Sequence, residues 1–300
     1  GLFAFASSLD QVGILTRDVK DVALTMNTIS HPDPQDATCI ATGKQDFISG
    51  LAETDIHAGC RIGIVTQLSD PKLISSDVLT RFDLAVSTLS KMGCSVIPKS
   101  VPFIDLLLPC YYILSPAEAS SNLARYDGIR YGLGFPSDME GSLTEHYFSV
   151  RQAGFGEEVK RRILGGTYVL SAGYADEYYN RARMVRRQVA DAVNELFKDV
   201  DFLVTPTTPA VAFKLGEKLE DPVSMYAADA CTVLANLCSI PAISLPVGLG
   251  QDNLPVGFQI IAPRLQDAKL LSLAHQFEQA HGEGYRVSPL VEDALARFEG

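Results

Sequence analysis

Arg61-Ile-Gly-Ile-Val-Thr66 is a short β-branched run behind Gly59, and the pattern downstream of it decides the fold. The apolar residues from Ser76 to Met92 recur at helical spacing and stop at Gly93, a residue suited to a helix end. Cys94-Ser-Val-Ile97 is again strand-like. Strand, helix and strand in so short a span predict a βαβ unit, with its two strands parallel.

Working outward from that unit, Val19, Val22, Ala23, Met26 and Ile29 predict an amphipathic helix with Thr16 as its N-cap, stopped by His31-Pro-Asp-Pro34. Helical patterns run from Leu106 to Arg125, from Gly156 to Leu164 and from Ser171 to Phe197. Gly165-Gly-Thr167 reads as a helix end, and the polar stretch Gly132–Gly154 as an excursion from the fold. Asp201-Phe-Leu-Val204 is a buried-type strand. The segments Val223–Leu237, Ala242–Leu245, Val256–Ile261 and Gln266–His281 then read helix, strand, strand, helix. This alternation predicts an α/β protein, a mixed central sheet with helices on both faces. No repeat or linker marks a second domain, so residues 1–300 are read as one domain.

Composition narrows the function. The chain is 47% hydrophobic and 20% charged, with mean hydropathy +0.11, which excludes disorder and fits a globular chain burying about 75% of its unfolded surface. Its apolar runs are interrupted by Asp105, Pro109, Asp229 and Pro241, too early to cross a bilayer. With 25 Lys and Arg against 36 Asp and Glu, the net charge is −11, which argues against direct nucleic-acid binding. The six cysteines contain no C-x-x-C pair and read as reduced, buried thiols with neither a disulfide framework nor a zinc site. The opening Gly1-Leu-Phe-Ala-Phe-Ala-Ser7 has no initiator Met and no signal-peptide pattern, and reads as the middle of a domain.

Few residues carry chemistry. The histidines (His31, His57, His146, His275 and His281) read as loop or helix-end residues, none near a G-x-S-x-G string, and there is no P-loop or G-x-G-x-x-G. Asp229 is the one charged residue between Asp221 and Asp252, in Met225-Tyr-Ala-Ala-Asp-Ala-Cys-Thr-Val-Leu-Ala-Asn-Leu237. A carboxylate among such neighbours needs a partner, either a structural cation or a ligand. Lys160-Arg-Arg162 is a charge run of the kind that usually faces solvent. At 100° per residue one of the three points away from the others, and Arg162, beside Ile163 and Leu164, is the one expected inward, where a guanidinium can clamp a carboxylate. Tyr111 and Tyr112 sit in an apolar segment where core packing is the default reading. The basic face Arg181, Arg183, Arg186 and Arg187 reads as solvated or partner-facing.

Several strings converge on one family. Phe5-Ala-Ser-Ser-Leu-Asp-Gln-Val-Gly13, Ala117-Glu-Ala-Ser-Ser-Asn-Leu-Ala-Arg-Tyr-Asp-Gly-Ile-Arg-Tyr131, Gly154-Phe-Gly-Glu-Glu-Val-Lys-Arg-Arg-Ile163, Leu170-Ser-Ala-Gly-Tyr174, Pro206-Thr-Thr-Pro209 and Leu254-Pro-Val-Gly-Phe-Gln-Ile-Ile261 resemble the amidase-signature family, and within it the A subunits of glutamyl-tRNA(Gln) amidotransferases. The resemblance spans nearly the whole chain. It implies an amidase-signature fold of which residues 1–300 are the C-terminal part. It implies a glutaminase half-reaction, with the ammonia passed on to amidate a glutamyl-tRNA. The family's catalytic Lys, cis-Ser and nucleophilic Ser lie in strings before the sequence that matches Gly1, so no catalytic residue is assigned here; Ser7 and Ser8 are not the nucleophile.

What the resemblance leaves to this chain is substrate recognition. It puts Arg162 and Asp229 at the positions that bind glutamine, one cation and one anion for a ligand carrying an α-carboxylate and an α-ammonium. Tyr111 matches the pocket tyrosine, with Tyr112 the alternative. The resemblance further implies two partners in a heterotrimer, a tRNA-binding B subunit with a small C subunit, and tRNA reached only through them. ATP and magnesium are used on the partner, with no cofactor or metal on this chain. Bacterial cytoplasm or an organelle is the implied compartment. Two other readings stand beside it: a general amidase acting on another amide, and a non-catalytic interaction protein if nothing precedes Gly1.

Overall fold

The computed structural model describes residues 2–40, 42–43, 45–51, 58–134, 141–217 and 225–282, and within these the chain falls into two compact units. His57 and Asp221 lie outside the described residues. One unit comprises residues 13–104 and 189–300, the other residues 1–12 and 105–188.

The larger unit contains the expected βαβ core. Strand β1 (Arg61–Val65), helix α2 (Ser76–Lys91) and strand β2 (Ser95–Lys99) succeed one another, and β1 pairs β2 in parallel with Ile62 opposite Val96. Gly93 has φ +99°, the left-handed turn that ends the helix and lets the chain re-enter the sheet. Strand β3 (Phe202–Pro206) pairs the other edge of β1 in parallel and is buried at every position, which is why it reads as an unbroken apolar run. Strands β4 (Ala242–Leu249) and β5 (Pro255–Ile261) complete the order β2-β1-β3-β5-β4, both added antiparallel, so the sheet is mixed.

Helix α2 buries Val78, Phe82, Ala85 and Leu89. The C-terminal helix of the described residues, Asp267–His281, buries Leu270, Leu271, Leu273, Ala274 and Phe277. Phe258 of β5 stands between the two, its ring 5.5 Å from Phe82 and 5.2 Å from Phe277. Helix α1 (Val19–Ile29) is where the sequence puts it, but its N-cap is Asp18, whose carboxylate accepts from the Asp21 N–H. Thr16 instead donates its hydroxyl to the Asp18 carbonyl, too early in the chain to cap. Four of the six thiols are buried. The Sγ atoms of Cys60 and Cys94, just ahead of β1 and β2, lie 3.3 Å apart.

The smaller unit is built on helices α3 (Leu107–Asn122), α4 (Leu143–Gly154) and α5 (Glu157–Leu170) together with the first turns of α6 (Tyr179–Asp199). Here the sequence reading needs three corrections. Helix α5 runs through Gly165 and Gly166 rather than ending there. Gly166 is buried, and a Cβ on it would stand 1.9 Å from the Pro116 carbonyl oxygen of α3, so the glycine serves the close approach of two helices. The stretch 132–154 is no simple excursion, because α4 occupies its second half behind a capping box made by Ser142 and Glu145. Helix α6 starts at Tyr179, not Ser171, since Gly173 at φ +89° turns the chain between the two helices.

Candidate functional site

In the smaller unit the segment Phe5–Asp10 is tied down by groups far away in sequence. The Asp10 carboxylate accepts from the N–H groups of Phe5 (2.8 Å) and Ala6 (3.0 Å), which curls the segment on itself. Ser8 donates its N–H (2.8 Å) and its hydroxyl (2.6 Å) to the two oxygens of Glu118 on α3. Arg186 of α6 donates to the same hydroxyl (2.6 Å) and to the Ser8 carbonyl (3.0 Å). Asn122 donates to the Phe5 carbonyl (3.1 Å) and the Ser7 hydroxyl (2.9 Å). Arg186, half-buried, is therefore tied to Ser8 within the unit.

These contacts frame a cavity of about 380 Å³ lined by Ser7, Ser8, Glu118, Asn122, Leu170 and Tyr179 among others. Hydroxyl, amide, carboxylate and phenol groups in one concavity can hydrogen-bond a small polar molecule from several sides. Neither Arg162 nor Tyr111 lines it.

Of the three consecutive cations on α5, Arg162 is the most covered, its side chain 23% exposed against 32% for Lys160 and 54% for Arg161. Its Nε donates to Glu158 Oε1 at 2.9 Å, and its guanidinium carbon stands 5.8 Å from the centre of the Phe5 ring. Glu158 also pairs through Oε2 with Arg161. Tyr111 and Tyr112 are adjacent on α3, half-buried, and meet edge to face with ring centres 5.0 Å apart.

Asp229 belongs to the larger unit and is half-buried. The single helix expected over Val223–Leu237 is not continuous: residues 223–224 lie outside the described ones, Ala227–Asp229 form a 3-10 turn, and helix α7 spans only Val233–Cys238. The Asp229 carbonyl accepts from both the N–H (3.0 Å) and the hydroxyl (3.1 Å) of Thr232, which closes the turn. Two residues further on, the Cys231 carbonyl accepts from Gln259 Nε2 at 3.0 Å, and the same amide donates to Thr205 at 2.8 Å. This buried bridge fastens the Asp229 segment to strands β3 and β5.

Three of the buried thiols are disfavoured as thiolates. Burial pushes Cys110 up to about 11 and Cys231 up to about 12, and Cys60 is raised by its contact with Cys94. His146 and His275 lie within helices rather than loops or helix ends. Among the described residues, no three His, Cys, Asp or Glu side chains form a group that could hold a metal ion, and no helix is long and apolar enough to cross a membrane.

Glu118, Asn122 and Arg186 were not singled out as site residues by the sequence. Glu118 and Asn122 sit in the Ala117–Tyr131 string, which is the signal that could have directed attention to them.

A family model described as Amidase matches residues 1–271. The chain is 46% identical over 289 residues to the A subunit of the glutamyl-tRNA(Gln) amidotransferase of Rubrobacter xylanophilus, covering 96% of this chain and 59% of that protein. The subunit of the same description from Halothermothrix orenii is 46% identical over 280 residues, covering 93% and 57%. The crystal structure of the corresponding Thermotoga maritima subunit superposes with a TM-score of 0.71 at 38% identity, over 92% of this chain and 54% of that one. The peptide amidase of Stenotrophomonas maltophilia shares the fold, with a TM-score of 0.70 at 22% identity over 96% and 56%. The chain thus spans somewhat more than half the length of the curated relatives it matches.

Proposed function

This chain belongs to the amidase family, and from that premise we propose that it is part of the glutaminase subunit of a tRNA-dependent amidotransferase. Identity of 46% to such A subunits over nearly all of this chain is the observation that carries the reading. Glutamine is hydrolysed to glutamate, and the ammonia released amidates Glu-tRNA(Gln) to Gln-tRNA(Gln) on a partner subunit. The nucleophilic serine, the cis-Ser and the lysine belong to segments outside these 300 residues. ATP and magnesium act on the tRNA-binding B subunit, the small C subunit completes the assembly, and tRNA is held by the partner, in keeping with the net charge of −11 here. The assembly works in bacterial cytoplasm or an organelle.

This chain's own share is recognition of glutamine. Arg162 takes the α-carboxylate: its guanidinium is planar, carries donors in a fixed fork, and is covered by Phe5 so that a charge-assisted bond to it is weakly screened. Asp229 takes the α-ammonium, held on a turn that Gln259 and Thr232 fix. The Tyr111 phenol adds a hydrogen bond. A substrate with both charges is then distinguished from simple amides by charge-assisted contacts that only it can make.

Arg162→Ala in the intact subunit tests the reading. The KM for glutamine should rise strongly, by the equivalent of about 2–5 kcal/mol, while ammonia supplied directly still supports amidation. An unchanged glutamine KM would return Arg162 to a helix-surface ion pair. For Asp229→Asn, the thermal midpoint should hold while glutamine binding weakens; a large fall in midpoint with unaltered KM would make Asp229 structural.

A further inference from the structure

Arg162 is not merely covered; two of its contacts hold it in place. One is its Nε edge, bonded at 2.9 Å to Glu158 Oε1. The other is the Phe5 ring, over which the guanidinium carbon stands 5.8 Å from the centre. Phe5 is 157 positions away in sequence, and it is itself held at both ends: its N–H donates to Asp10 and its carbonyl accepts from Asn122. The hydroxyl, N–H and carbonyl of the neighbouring Ser8 are all engaged by Glu118 and Arg186. A face contact supplied by so constrained a segment is more than an exposed pair within one turn of helix.

We propose that Glu158 and Phe5 are positioning residues that hold the Arg162 guanidinium in place before a carboxylate ligand arrives. The inference rests on the reading of Arg162 as the substrate-carboxylate group. A guanidinium has two edges that can meet a carboxylate, the Nε side and the Nη end. Glu158 on the Nε side and the Phe5 ring beside the guanidinium carbon together restrict how the side chain can rotate. The ligand is then met by a guanidinium with little side-chain freedom left to lose.

A competitor in the same place would behave differently, since Glu158 could block Arg162 and have to be displaced. The division of its oxygens favours positioning: Oε1 goes to Arg162 and Oε2 to Arg161, so the second cation retains the carboxylate where it is. Glu158 also lies in the first turn of α5, where the helix N-terminus favours an anion.

The experiment uses the assembled amidotransferase and compares glutamine with 4-aminobutanamide, the same side-chain amide without the α-carboxylate, and with free ammonia. E158A should raise the glutamine KM about tenfold with kcat nearly unchanged. It should leave the ammonia-supported rate intact and spare kcat/KM for 4-aminobutanamide. E158Q, which keeps an oxygen acceptor for Nε, should recover most of the loss. F5L, which keeps bulk but removes the ring face, should raise the glutamine KM several-fold and decides the case if E158A fails to fold.

An unchanged glutamine KM in both E158A and F5L would overturn the proposal, as would equal losses for both amides, which mark a structural defect. A lowered KM in E158A would make Glu158 a competitor. R162A separates the two levels: if R162A leaves the glutamine KM unchanged, the carboxylate reading itself fails, whereas a raised KM in R162A beside an unaltered one in E158A and F5L rejects the positioning role alone.

Discussion

The unit of residues 13–104 and 189–300 is filled with large apolar side chains: Phe82, Phe202, Phe258, Phe277, Ile62, Leu203 and Ile260 are all nearly inaccessible to solvent. In the unit of residues 1–12 and 105–188 the buried positions are occupied mostly by small residues such as Ala6, Cys110, Ser115, Ala117, Ala119 and Ala182, with Pro116, Val150 and a few leucines, and none of its described aromatic residues is fully buried. The first is stabilised by area removed from water. The second depends on helices brought close over small residues and on long-range hydrogen bonds such as Ser8 to Glu118. A transfer term is tolerant of small displacements, whereas hydrogen bonds and close helix contacts are directional or steric and fix atoms in place. The region with less hydrophobic core is thus the one that holds Arg162 and the polar cavity in register.

If that contrast is right, Phe258→Ala should give the largest loss of stability. Deleting the ring between Phe82 and Phe277 removes its transfer free energy and leaves a cavity, about 3–5 kcal/mol. Denaturant unfolding checks it, and a loss under about 1 kcal/mol would show that the ring row is not central to the sheet's core.

Gly166→Ala probes the other unit with a single methyl group. The added carbon would meet the Pro116 carbonyl at 1.9 Å, so α3 and α5 must separate, at a cost of about 1–3 kcal/mol or more. Amide hydrogen exchange should quicken in α3 and α5 while the β1–β3 amides keep their protection. A neutral effect, as Ala's better helix propensity alone would give, would mean the crossing does not require glycine.

The smallest effect concerns the larger unit's surface. Asp46 accepts from Asn27 (3.0 Å) and from the Ser49 hydroxyl (2.7 Å), and these bonds pull its pKa from 3.8 down to about 2. Its folded-state pKa is depressed, so its contribution to stability is complete above 3.8 and is lost as pH falls from there through about 2. Chemical unfolding across that window should show a shallower loss in Asp46→Asn than in the wild type. Parallel curves would remove Asp46 from the acid response.

How much of this was legible beforehand depends on the range of the signals. The βαβ unit could be read because each part is announced locally, by β-branched residues at 61–66, a 3.6-residue period at 76–92 and a glycine at 93. Helix α4 had its signal too, the Ser142-x-x-Glu145 pattern, but the polar residues around it obscured the period. Gly165-Gly166 misled because low helix propensity is a local property, and the crossing with Pro116 overrode it. The broken helix at Asp229 misled for the opposite reason: a nearly unbroken apolar run carries no period with which to detect an interruption.

By itself, then, the sequence determined the alternation of strands and helices and the class of the fold, since each of these is written within about one turn or one strand. Only the tertiary structure decided that Phe5 meets Arg162, that Arg186 reaches Ser8, and that Ser8 is shared by Glu118 and Arg186 across 110 and 178 positions of chain. Such partners are chosen by which surfaces meet when the core is buried, and a local pattern carries no information about atoms that approach from a hundred residues away.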